Sequence, residues 1–156
     1  MASNHQMVSA YLESVIEQLT GVDKAVPDHE GDYAVELGGA RFWARVDGND
    51  PAIVRVYSTV LVGLDATPEL HEALNDINTR MAFLRAFVVH GTVLFEHEHL
   101  GTSMDAEEFA NSLRTIASAT DFFGPQLHQQ FGGEQKFQES KSDDYEPPDV
   151  DHPGYL

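Results

Sequence analysis

The chain has 156 residues and a formal net charge of −17, with 42% hydrophobic residues, 22% charged residues and no cysteine, a composition that predicts one globular domain and excludes a wholly disordered chain. The negative charge repels phosphate backbones and anionic lipids, so neither nucleic acid nor a membrane surface is an expected partner. Without cysteine there are no disulfides or thiolate sites, and since neither an export signal nor an apolar run of ~20 residues is visible, we expect a soluble, cytoplasmic protein.

The first elements are predicted to be a helix and three strands. Apolar residues at spacings of one, three and four form one helical stripe from Met7 to Leu19, and Gly21 is placed to end the helix. Between residues 33 and 62 the pattern changes to short runs rich in β-branched and aromatic residues, broken at Gly38-Gly39 and at residues 47–51. Three strands joined by hairpins follow from this pattern.

A second helix and two further strands are predicted next. Thr67-Pro68 is typical of a helix N-terminus, and an apolar stripe then runs from Leu70 to Met81. Residues 82–89 and 92–99 are predicted strands on either side of the turn His90-Gly91.

The last predicted element is a third long helix, capped by Ser103 or Asp105 and broken at Gly124-Pro125. Beyond Gly132-Gly133 the sequence becomes polar, acidic and rich in proline, a composition that opposes regular structure. The sequence therefore predicts a folded domain at residues 5–133, with elements in the order α-β-β-β-α-β-β-α, and a flexible acidic C-terminal tail at residues 134–156.

A short motif, taken together with this order of elements, resembles a known family. The run Leu74-Asn75-Asp76-Ile77-Asn78 lies on the predicted second helix, Arg85 follows on the next strand, and Gly91 lies in the turn after it. On these residues, and over residues 6–133, the sequence resembles the YbjN-like family, whose members share the fold of type III secretion chaperones.

The resemblance implies an α+β domain in which helices cover one face of an antiparallel sheet of about five strands. It also implies a bacterial protein with a peptide-binding or chaperone-like role, without catalytic residues or a cofactor. Many relatives carry the label of sensory transduction regulator. Because secretion chaperones of this fold commonly pair, a homodimer formed through an apolar strand edge or helix face is a further expectation.

In the second and third predicted strands, apolar residues on one face alternate with basic and aromatic residues on the other. If these strands pair, the second face gathers Arg41, Trp43, Arg45, Arg55 and Tyr57. Arginine and aromatic residues often dominate the energetics of interfaces, so the pattern predicts a binding surface for an acidic or aromatic-containing protein segment. The alternative is a solvated face on which the arginines pair with neighbouring carboxylates, including Glu36 and Glu96.

Other polar residues suggest little chemistry. His97 and His99 would share one face of a strand and are weak candidates for a metal site, but no further ligands can be identified, so a polar strand end is the simpler interpretation. Asn75 and Asn78 are expected to bond to backbone groups where their helix meets the sheet. No nucleophile elbow, phosphate loop or other catalytic motif is present, so we expect no enzyme.

The sequence thus predicts a non-enzymatic adaptor that binds a protein or peptide client. The alternative is a regulatory domain that senses a small ligand or a metal near His97 and His99. The acidic tail, with Tyr145 among its carboxylates, is chemically complementary to the arginine and tryptophan face. It could act as a built-in competitor for the client, or serve only to keep the protein soluble.

Overall fold

A computed structural model of the protein describes residues 1–136. Its helices and strands follow the order α1 (Asn4–Thr20), β1 (Tyr33–Leu37), β2 (Ala40–Asp47), β3 (Ile53–Val62), α2 (Pro68–Arg80), β4 (Arg85–Val89), β5 (Thr92–Leu100), α3 (Ala106–Phe131) and β6 (Glu134–Gln135). The α+β fold class and the order of the first eight elements are confirmed. The short strand β6 adds the first two residues of the predicted tail to the sheet, and the rest of that prediction, from residue 137 onward, lies outside the described residues.

The long strands form one antiparallel sheet in the order β1-β2-β3-β5-β4, and β6 pairs with the end of β3. Two tight turns make the outer hairpins, one at Gly38-Gly39 and one at His90-Gly91. Gly91 is required for two reasons: its φ is +76°, and a Cβ atom there would lie 2.7 Å from the carbonyl oxygen of Leu64. The second hairpin is thereby held against the segment that follows β3.

The helices begin at the capping residues that the sequence suggests. Ser3 and Gln6 form a capping box for α1, Thr67 caps α2, and Asp105 rather than Ser103 caps α3. Only part of the predicted stripe of α1 is buried, since Met7 and Tyr11 remain 53% and 40% exposed. Among the described residues no helix is both long and apolar enough to cross a bilayer.

The predicted break of the third helix at Gly124-Pro125 is wrong, because α3 continues to Phe131 with Pro125 inside it. An interior proline removes one helical hydrogen bond and costs about 3 kcal/mol. Phe123 and Leu127 on either side of the break are both buried in the core, and burying each such side chain contributes roughly 1.5–3 kcal/mol. Burial of two anchors therefore outweighs the proline.

All three helices pack on the same face of the sheet. Helix α1 contacts β1 and β2, α3 contacts β3 and β5, and α2 contacts β4. Their buried side chains join one core cluster with the inward residues of the strands, such as Phe42, Val54 and Phe95. We call the opposite side of the sheet, which carries residues such as Trp43 and Tyr57, the distal face.

Asn78 of the Leu-Asn-Asp-Ile-Asn run protects the outer edge of the sheet. With a two-residue turn, Val89 and Thr92 form a hydrogen-bonded pair, so the N–H and C=O of Ala86 point away from β5. The side-chain amide of Asn78 donates to the Ala86 oxygen at 3.0 Å and accepts from the Ala86 N–H at 2.7 Å. The predicted backbone role is confirmed for Asn78, whereas Asn75 makes no such bond within residues 1–136, and both residues are exposed on α2.

Replacing Asn78 by alanine should lower the free energy of unfolding by about 1–3 kcal/mol, because it leaves a buried donor and acceptor of Ala86 without partners. The matched control is Asn75→Ala, three residues earlier on the exposed side of α2, which should change stability by no more than about 0.5 kcal/mol. Urea denaturation of both variants and the wild type measures the difference. Equal losses in the two variants would contradict this role for Asn78.

Candidate peptide-binding face

The five residues predicted to form a binding surface lie together on the distal face. The strand register places Trp43 opposite Tyr57 and Arg45 opposite Arg55 across β2 and β3, and Arg41 lies at the near end of β2. The same register extends the surface over β5 and β4, strands that the prediction did not include. The additional distal residues are Leu94, Glu96 and Glu98 on β5 and Arg85, Phe87 and Val89 on β4.

The centre of the distal face is an aromatic cluster that is separate from the main core. Trp43, Tyr57 and Leu94 are buried together, with Phe87 and Val89 packed against them. The exposed fractions of Trp43 and Tyr57 are only 7% and 2%. These two aromatic residues therefore form a floor beside the less buried Phe87 and Val89.

Arg55 is buried between three carboxylates. Its Nε lies 2.6 Å from Asp47 Oδ2, and its Nη1 lies 3.2 Å from Glu96 Oε1 and also contacts Glu98. Arg85 on the outer strand pairs with both Glu96 and Glu98. A buried guanidinium requires such partners, because leaving a charge unpaired away from water costs several kcal/mol.

Closer to β1, two more arginines meet acidic partners. Arg45 Nε lies 3.2 Å from Asp32 Oδ1, and Arg41 Nη2 lies 2.6 Å from Glu36 Oε1. Asp32 also accepts a hydrogen bond of 3.0 Å from the Tyr57 hydroxyl. Burial raises the pKa of Asp32, and the charge of Arg45 opposes that rise. The distal face is consequently mixed in charge, and its arginines pair with carboxylates, including the Glu36 and Glu96 named from the sequence.

Glu96 is the most perturbed carboxyl group of this surface. It is fully buried, and burial raises its pKa to about 7, while Arg85 and Arg55 oppose the rise. The sequence placed Glu96 on this face but gave no indication of its burial, because burial depends on β5 lying between β3 and β4.

The two candidate metal-binding histidines lie on the other side of the sheet. His97 and His99 pair with the core residues Val56 and Val54, and their rings stack with centroids 4.6 Å apart. They line a cavity of about 330 Å³ with Phe83 and Glu108. Within residues 1–136 no group of three acidic or histidine side chains converges closely enough to hold a metal ion.

Burial lowers the pKa of both histidines, that of His99 to about 4 with a further contribution from His97. The rings are therefore neutral at neutral pH. His97 Nδ1 and His99 Nε2 are buried, and neither has a hydrogen-bond partner in the described part of the chain.

Comparison with known proteins supplies the class of this fold. A family model described as "T3SS (YopN, CesT) and YbjN peptide-binding chaperone 1" matches residues 6–139. The chain belongs to this family of peptide-binding chaperones. The match confirms the resemblance seen in the sequence, and it covers every helix and strand from the first turn of α1 to β6.

Three solved structures have the same fold as this family member. A chain of the ExsC-ExsE complex matches with a TM-score of 0.62 and 14% identity, covering 76% of this chain and 95% of its own. The HopA1-SchA chaperone-effector complex gives a TM-score of 0.58 at 9% identity, covering 76% and 97%. The Yersinia pestis chaperone SycH, in complex with a fragment of YscM2, gives 0.55 at 9%, covering 72% and 97%. No curated protein sequence matches the chain.

Glu96 and His99 should give the peptide-binding chaperone two opposite dependences of stability on pH. The pKa of Glu96 is about 7 in the folded protein against an ordinary 4.5, so folding favours the protonated carboxyl group. The contribution of Glu96 to the free energy of unfolding is therefore complete below pH 4.5 and is lost as pH rises through about 7. His99 has a folded pKa of about 4 against an ordinary 6.5. Its contribution is present above pH 6.5 and is lost as pH falls through about 4.

Urea unfolding of the wild type, Glu96→Gln and His99→Gln over a pH series tests this pair. Relative to wild type, Glu96→Gln should gain stability as pH rises from 4.5 to about 7. His99→Gln should lose stability relative to wild type as pH rises from about 4 to 6.5. Each variant serves as the control for the other, and parallel pH curves for all three proteins would contradict both assignments.

Proposed function

We propose that this family member is a non-enzymatic, chaperone-like adaptor that holds an extended protein or peptide segment across the distal face. The observation that carries the proposal is the aromatic cluster of Trp43, Tyr57 and Leu94, which lies on the side of the sheet opposite the core shared with the helices. Membership in a family of peptide-binding chaperones supports a polypeptide as the ligand. The neighbouring structures include a chaperone-effector complex, which is consistent with this class of client.

The proposed site divides into a floor and a rim. Arg55, Tyr57 and Trp43 are buried and form the floor, whereas Arg41 and Arg45 retain side-chain exposures of 15% and 19%. The partner of Arg41, Glu36, is itself half exposed. An ion pair in contact with water is worth about 0–1 kcal/mol, so a carboxylate of the client can replace that of Glu36 at little cost.

The client chemistry follows from this division. Aromatic side chains of the client would extend the cluster beside Phe87 and Val89, while flanking carboxylates would meet the arginines of the rim. We therefore propose an acidic, aromatic-containing segment as the preferred client.

The remaining features of the proposal concern its cellular setting. A net charge of −17 disfavours nucleic acid as a partner, and the family supports a bacterial, cytoplasmic protein that assists or regulates a client. Regulation of this kind agrees with the sensory transduction label of YbjN-like proteins. Met7 and Tyr11 leave an apolar patch exposed on α1, which is the helix surface we propose for a homodimer.

A second candidate function is the sensing of a small ligand at His97 and His99. It is favoured by the two buried ring nitrogens without partners within residues 1–136, which adjoin a cavity of about 330 Å³. A ligand that binds only the folded protein raises its melting temperature. Saturable stabilisation by a small molecule or metal, lost in a His97→Phe and His99→Phe double variant, would identify this function.

The adaptor proposal predicts that peptides selected by display on the full-length chain contain aromatic and acidic residues and bind through the distal rim. In the double variant Arg41→Ala and Phe87→Ala, affinity for a selected peptide should fall about tenfold or more, the effect of losing interface anchors. The matched control is Arg114→Ala and Phe122→Ala, which removes the same residue types from exposed positions on α3. Fluorescence anisotropy with labelled peptides measures each Kd.

Loss of affinity only in the distal variant would support the adaptor proposal. Equal affinities in the two double variants would place the peptide elsewhere on the protein. If display yields no peptide that binds the wild type, the adaptor function itself is contradicted.

A further inference from the structure

The cavity beside His97 and His99 lies on the helix side of the sheet, and we call it the histidine cavity. Its volume of about 330 Å³ lies within the range of about 300–1,000 Å³ that is typical of small-molecule sites. The residues that line it come from β5, from the segment before β4 and from the start of α3, and they include Phe83, Met104 and Glu108. Three parts of the chain that are distant in sequence therefore converge around one small space.

One wall of the histidine cavity is aromatic. The rings of His97 and His99 stack with centroids 4.6 Å apart and 29° between their planes, and the Phe83 ring lies 6.0 Å from that of His97. Phe83 is 85% exposed and has a φ of +61°, a left-handed conformation that bulky residues rarely adopt. Such strain persists only where the surrounding structure imposes it, and it is frequent at ligand-binding positions. The backbone therefore holds an exposed aromatic ring beside the cavity.

The two imidazole rings have hydrogen-bonding capacity that residues 1–136 do not use. His97 Nδ1 and His99 Nε2 are buried, and neither bonds to an atom of that part of the chain. Burial lowers the pKa of both rings, so each is neutral at neutral pH, with one nitrogen that donates and one that accepts. Because buried polar atoms of native proteins are nearly always paired, these two nitrogens require a partner.

Carboxylates give the histidine cavity a negative field. Glu98 pairs with arginines of the distal face, whereas Glu108 Oε2 accepts the Asp105 N–H at 3.0 Å and its carboxylate has room for further donors. The charges of Glu108 and Asp105 act to raise the pKa of His99, although burial outweighs them. No lysine or arginine from the described residues lines the cavity. The site therefore favours a positive charge that its own histidines do not supply.

We propose that the histidine cavity binds a planar organic cation with N–H donors, an amidinium or guanidinium group joined to an apolar body. This inference rests on the second candidate function, because it names the ligand to be sensed. Such a group is more weakly hydrated than an ammonium, pairs with a carboxylate through two N–H groups and stacks on aromatic rings. Glu108 takes the charge, the histidine nitrogens accept N–H groups, and Met104 packs against the apolar body. Because both nitrogens are buried, the exposed Phe83 ring turns aside to admit the ligand.

Other classes of ligand fit the histidine cavity less well. An anion would meet the carboxylate of Glu108 without a neighbouring cation to offset it. A quaternary ammonium has no N–H group to offer the two histidine nitrogens. A metal ion in a closed site needs about four ligands, and within residues 1–136 no three acidic or histidine side chains converge closely enough. A cation that carries its own donors is the class that answers both the field and the unused nitrogens.

Benzamidine is the probe, with benzamide as its neutral isostere and benzoate as the anion of the same shape. In NMR titrations of the full-length protein, benzamidine should shift the imidazole nitrogen resonances of His97 and His99, and both isosteres should bind at least about tenfold more weakly. Glu108→Gln, which retains a side chain able to complete the capping box, should weaken benzamidine binding about tenfold. The matched control Glu107→Gln removes the same charge from the preceding exposed position and should change affinity by less than about twofold.

The outcomes separate this inference from the function on which it rests. Binding of Zn²⁺, benzamide or benzoate at the two histidines, without binding of benzamidine, would overturn the organic cation and leave ligand sensing standing. Equal benzamidine affinities in the wild type and in the His97→Phe and His99→Phe double variant would contradict both. If no probe shifts the histidine resonances, water pairs with the nitrogens and the inference is wrong. Displacement of bound benzamidine by an arginine-containing peptide would support the site and identify a client side chain as the source of the cation, whereas displacement by free methylguanidine alone would identify a small molecule.

Discussion

The arrangement of the sheet depends on the ion pairs of the buried Arg55 guanidinium. A charge buried at this depth must be paired, and its partners come from strands far apart in sequence: Asp47 on β2, and Glu96 and Glu98 on β5. Arg85 extends the network to β4. Four strands therefore have to meet in one register, since a slip by one residue would move the arginine and its carboxylates to opposite faces.

The same network adjoins the surface that we propose as the binding face. It is linked to the aromatic cluster of Trp43, Tyr57 and Leu94 through Arg45, which pairs with Asp32, the acceptor of the Tyr57 hydroxyl hydrogen bond. Arg41 pairs with the half-exposed Glu36, whereas Arg45 pairs with the buried Asp32. The proposed binding of extended segments depends on this buried centre and on the water-exposed partner of Arg41.

Local rules and long-range packing contributed differently to the agreement between prediction and structure. Caps and hairpin turns act over a few residues, so Thr67, Gly91 and the strand boundaries near them were predictable. The end of α3 was not predictable in this way, because the rule that proline breaks a helix takes no account of the burial of Phe123 and Leu127 in the core.

The sequence by itself determined the element order, the family and the clustering of Arg41, Trp43, Arg45, Arg55 and Tyr57, because strand alternation alone assigns residues to faces. Tertiary structure alone decided that β5 lies between β3 and β4, which buries Glu96 beside Arg55 and adds Leu94 to the aromatic cluster. It also decided that β6 pairs with the end of β3. The physical reason is that alternation is local to each strand, whereas the order of strands depends on burial and charge pairing among residues distant in sequence.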